Sequence, residues 1–119
     1  MIKHLVSAAV ALLPVALSAP IHAKDRTGYR AIATGDFARA ERTLVAERRI
    51  FPNRPELMIN LAAVYLRTGR AAEANALYSK VLTQPATLME LPSGRAVTSH
   101  QVASTALASI GSTVAVASR

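Results

Sequence analysis

Residues 34–41 read TGDFARAE, and residues 68–75 read TGRAAEAN. The two octets are offset by 34 positions, and Thr34/Thr68, Gly35/Gly69, Ala38/Ala72 and Ala40/Ala74 coincide. The offset continues beyond the octets, setting Gly28 on Ala62, Leu44 on Tyr78 and Glu47 on Val81. A repeat of this length with helical patterning is one supersecondary unit used twice, stacked on itself to bury a face that neither copy buries alone.

Each copy reads as a helix pair. In the second, Pro55 suits the first turn of a helix, where its missing N–H has no partner to lose. Leu57, Leu61, Val64 and Tyr65 then recur at three- and four-residue steps. Gly69 offers the left-handed conformation that ends helices. A second helix over 71–82 puts Ala74, Leu77, Tyr78 and Val81 on one face. The first copy repeats the scheme with Ala31, Ile32 and Gly35, then Phe37, Ala40 and Leu44.

These residues resemble the tetratricopeptide repeat. The resemblance rests on small residues at Gly28 and Ala62, on Gly35-x-Phe37-x-x-Ala40-x-x-x-Leu44, and on Gly69-x-Ala71-x-x-Ala74-x-x-x-Tyr78. Leu61-Ala62-x-x-Tyr65 and the joining loop Phe51-Pro52-Asn53-x-Pro55-Glu56 belong to it as well. It implies an all-α fold of the α-solenoid type, with antiparallel helix pairs over 24–54 and 55–88. The first helix of the first repeat is short, a departure from the family pattern. The family's first helices line a concave groove for peptides, which here would include Tyr29, Arg30, Asn60, Ala63 and Arg67. Asn60 stands where family members often hold a peptide backbone. Asp25 stands where a terminal-carboxylate clamp would need a basic residue, so that clamp is incomplete.

The repeat frame fails after residue 88. Leu88–Leu91, Pro92-Ser93-Gly94 and Arg95–Val97 read either as a short β-hairpin or as an irregular turn over 89–98. Thr98-Ser99-His100-Gln101 is a capping box. It opens a helix over 99–110 with Val102, Ala103, Ala106, Leu107 and Ile110 on one side, and Gly111 is read as its end. Two repeats bury little surface, so this helix is expected to cap the second repeat, with 111–119 a flexible tail.

Residues 5–19 form an apolar run without charge behind Lys3 and His4, and Ala23 offers a small residue for cleavage. This reads as a signal peptide over 1–23, since a spanning helix needs about 20 apolar residues. The expected location is therefore periplasmic or secreted. The absence of cysteine excludes disulfides, thiolate metal sites and lipid attachment at cysteine. Of 14 basic side chains Lys3 falls in the leader, leaving 13 against 7 acidic ones, a net charge of +6. Arg39, Arg42 and Arg49 lie at near-helical spacing and form a candidate basic patch, with Glu41 and Glu47 interleaved.

Export argues against nucleic acid as a partner. His100 is the one histidine beyond residue 23, and adjacent residues such as Ser99 and His100 point in different directions on a helix. No enzyme activity, metal or cofactor is expected. The expected role is a non-catalytic adaptor for a protein or peptide partner in a bacterial envelope. The alternatives are a self-assembling structural protein (a homo-oligomer covering its open ends) and a basic binder of anionic envelope surfaces. Peripheral membrane contact is not expected.

Overall fold

The computed structural model describes residues 25–117. The expected leader, residues 1–23, lies outside the described residues. Among the described residues, five helices and one hairpin follow in order: α1 (Tyr29–Ala33), α2 (Phe37–Ile50), α3 (Pro55–Arg67), α4 (Ala71–Leu82), β1 (Leu88–Glu90), β2 (Ala96–Thr98) and α5 (Ser99–Ala117). Successive helices pack on one another, and α5 lies against α4 and α3.

The duplicated Thr-Gly dipeptide is a duplicated helix stop. Gly35 and Gly69 take φ of 82° and 79°, open to glycine at little cost. After α1, the Gly35 N–H donates to Ile32 O at 3.0 Å and the Asp36 N–H to Ala31 O at 2.8 Å. After α3, the Gly69 N–H donates to Leu66 O at 3.3 Å and the Arg70 N–H to Tyr65 O at 2.7 Å. Both are Schellman motifs, which satisfy carbonyls left over at a helix end. The threonines join in: Thr34 Oγ1 donates to Arg30 O at 3.1 Å, and Thr68 Oγ1 to Val64 O at 2.8 Å.

The next helix starts at once in both copies. Asp36 accepts the Arg39 N–H at 3.2 Å, a side-chain N-cap. Arg70 has no acceptor to offer α4, and its guanidinium reaches back to α2 instead. Of the matched alanines, Ala40 and Ala74 are fully buried where the helices approach, while Ala38 and Ala72 are exposed. The core runs through both copies and into α5, joining Ala31, Ile32, Leu44, Leu57, Leu61, Tyr78 and Val81 to Val102, Ala103, Ala106 and Ile110. Burial of a leucine such as Leu44 contributes about 1.5–3 kcal/mol.

The segment after α4 is a two-stranded antiparallel hairpin, with Met89 opposite Val97 and Glu90 opposite Ala96. Gly94 turns it at φ 86°. Ser99, fully buried, fastens the hairpin to α5: its Oγ accepts the Thr87 N–H at 2.9 Å, and its own N–H donates to Thr87 O at 2.8 Å. The capping box forms as its sequence implies, with the Gln101 N–H donating to Thr98 Oγ1 at 3.0 Å and the Thr98 N–H to Gln101 Oε1 at 2.8 Å.

One boundary is corrected. The helix expected to stop at Gly111 continues to Ala117, so most of the expected 111–119 tail is helical. Gly111 does not take positive φ, unlike the four glycines that end helices or turns. Thr113 Oγ1 donates to Ser109 O at 3.0 Å, giving the hydroxyl a partner inside the helix.

Candidate functional site

The residues expected to line a first-helix groove separate into two groups. Tyr29 is half-buried, and Arg30 and Arg67 are exposed. Asn60 and Ala63 have no exposed surface. The Asn60 amide faces the interior, where Nδ2 donates to the Thr27 carbonyl at 2.8 Å. This corrects the expectation that Asn60 is presented to a peptide. The cause is local: Gly28, at φ 68°, breaks the chain just before α1 and leaves the Thr27 carbonyl outside a helix ladder. The cue lay in the sequence. Residues 57–64 read LMINLAAV, one polar residue in an otherwise apolar run, and all eight are buried. A helix apolar on every side is an interior helix.

Asp25 supports the same segment. Its Oδ2 accepts the Ala31 N–H at 3.0 Å, and its carbonyl accepts the Gly28 N–H at 3.2 Å. Arg67 extends over the Phe37 ring, 5.4 Å from the centroid, tying the end of α3 to the start of α2.

Arg39, Arg42 and Arg49 are all exposed on α2. Arg42 and Arg49 flank an open groove of about 510 Å³ that also includes Ala38, Glu41, Val45 and Ala46. Two helical turns separate these arginines, about 10 Å along the axis. Glu41 would offset the patch, but it is committed elsewhere. It pairs with Arg70, whose guanidinium also stands 4.2 Å over the Tyr65 ring and 3.9 Å from Glu73. The hydrogen bond from Arg70 to Glu41 raises the guanidinium pKa further. Among the described residues, neither Arg42 nor Arg49 makes an ion pair. The α2 face therefore presents two unpaired guanidinium forks on either side of a short apolar strip.

Ser99 and His100 do not face each other as nucleophile and base. The Ser99 hydroxyl is engaged with Thr87, and His100 Nε2 lies 2.6 Å from the Gln84 carbonyl. A carbonyl accepts only, so Nε2 is the donor in this contact. Among the described residues, no group of histidine and carboxylate side chains could hold a metal ion. No helix among them is long and apolar enough to cross a membrane.

The Schellman stops and the buried Ala40 and Ala74 recur within residues 29–82, whose helices share one core. Residues 31–87 match the tetratricopeptide repeat. The match supports the tetratricopeptide family for this part of the chain, and that repeat is generally a non-catalytic mediator of protein–protein interaction. No curated protein and no solved structure matches the chain.

Proposed function

We propose that this chain is an exported, non-catalytic adaptor that binds a protein partner in a bacterial envelope. The observation that carries the reading is the α2 face, where Arg42 and Arg49 stand unpaired around Val45 and Ala46 while Glu41 is drawn off by Arg70. Guanidinium forks bind carboxylates in a defined geometry, and the apolar strip between them accepts an aliphatic side chain. The partner is then a protein segment bearing carboxylates about two helical turns apart. Arg39 extends the same charge toward the start of α2. Of the expected first-helix residues, Tyr29, Arg30 and Arg67 keep surface for a lesser contact, while Asn60 and Ala63 are buried.

The apolar run over 5–19 supports export, and a leader ending at Ala23 releases a chain that begins just before the described fold. The test is charge reversal. An Arg42→Glu/Arg49→Glu variant should lose partner association in the envelope fraction more than tenfold, and Lys80→Glu on α4 should leave it unchanged. Equal loss in both variants would reduce the effect to net charge and point to an anionic surface rather than a protein.

A further inference from the structure

A second groove, of about 680 Å³, lies between the hairpin and the first turns of α5. Its floor is apolar, with Leu91, Val97 and Val102. Leu91 is 5% exposed and stands outside the main core cluster. Arg95, His100, Gln101, Ser104 and Thr105 supply polar atoms, and no carboxylate lines it. The hairpin register explains that. Leu91, Arg95 and Val97 project to one side of the two strands, while Glu90 sits opposite Ala96 on the other.

The edge of β2 is open. The Leu91 N–H donates to Arg95 O at 2.9 Å and the Ser99 N–H to Thr87 O, which makes these residues and the Met89–Val97 pair the hydrogen-bonded rungs. By alternation, the N–H and C=O of Ala96 point away from β1, and Ala96 is among the residues that line the groove. The Thr98 N–H, next on that edge, is taken by Gln101, which limits pairing to the segment around Ala96. The Arg95 side chain makes no hydrogen bond or ion pair among the described residues. His100 uses Nε2 on Gln84 O, which fixes its ring at the groove wall.

We propose that this groove docks an extended, acidic segment of a partner protein, which pairs with the β2 edge at Ala96, seats an aliphatic side chain on Leu91 and Val97, and sets a carboxylate beside Arg95. The charge argument selects the occupant: the Arg95 guanidinium, with no carboxylate among the lining residues, complements an anion. The edge selects an extended backbone, since strand addition uses backbone groups for affinity and side-chain pockets for choice. The surface is separate from the α2 face, so either can fail alone.

The probe is a pair of capped eight-residue peptides, one alternating valine and glutamate and one alternating valine and lysine. Amide shifts of the isotopically labelled full chain report the binding. The glutamate peptide should move the amides of Ala96, Val97, Gln101 and Thr105, and the effect should weaken with added salt. The lysine peptide should move none of them. Arg95→Glu should weaken the glutamate peptide more than tenfold, and Ala96→Pro, which removes the edge donor, should do so by a separate route. Far-ultraviolet circular dichroism confirms the fold of both variants. Equal response to the two peptides, shifts confined to the Arg42–Arg49 face, or shifts that follow only the chain's own concentration would each overturn the proposal.

Discussion

Asn60 Nδ2 donates to the Thr27 carbonyl at 2.8 Å, joining the centre of α3 to the turn that precedes α1. The contact closes the N-terminal end of the fold, where the first helix is only five residues long. A carbonyl left without a partner in the interior costs about 1–3 kcal/mol. Asn60→Leu should therefore destabilise the chain by about that amount in urea unfolding. Asn60→Asp should cost at least as much, since a carboxylate cannot donate and would be buried. A loss below about 0.5 kcal/mol in both would remove the contact from this account.

Gly28 and Gly69 differ in a way that substitution can separate. Both hold positive φ, but a Cβ on Gly28 would lie 3.0 Å from Leu44 Cγ and Cδ1, while one on Gly69 would meet nothing within 4 Å. Gly69→Ala should cost about 1–2 kcal/mol from backbone conformation alone. Gly28→Ala should cost more, because Leu44 is fully buried and has little room to move. Denaturant midpoints of the two variants provide the comparison, and equal losses would contradict it.

Gly35 and Gly69 show what was legible in the sequence. The Thr-Gly repeat could be read as a helix stop because the left-handed cap is a local requirement that few residues meet. The Thr98–Gln101 box was legible for the same reason, since both partners lie within one turn. Gly111 does not end α5, because glycine permits a helix end without enforcing one. Asn60 was assigned by position in a repeat, whereas its surroundings are set by Thr27, a residue far away in the chain. The removal of Glu41 from the basic patch depends on Arg70 in the other repeat, a pairing that no local spacing shows.

Glu56 gives the fold a pH dependence of definite sign. Burial at the start of α3 raises its carboxyl pKa above the usual 4.5, against the lowering effects of Arg54 and its own backbone amide. Folding thus favours the protonated form. Its contribution to stability is complete below the usual value and is lost as pH rises through the folded value. Glu56→Gln should flatten the decline in unfolding free energy that begins near pH 4.5. A variant that keeps the wild-type slope would assign that decline to another group.

The Thr98–Gln101 box starts the helix that covers α4. Thr98→Ala should lower stability by about 0.5–2 kcal/mol and raise amide exchange in the first turn of α5, leaving α1 and α2 unaffected. Exchange that rises evenly along the chain would mean that the box stabilises the whole fold rather than this end.

The arginine face of α2 is proposed to hold a protein partner in the envelope. A photoreactive residue at Ala46, between Arg42 and Arg49, tests it in living cells. One crosslinked envelope protein is expected, identified by mass spectrometry, and it disappears when Arg42 and Arg49 are reversed to glutamate. Crosslinks only to a second copy of the chain or to lipid, or a protein crosslink that survives the reversal, would contradict it.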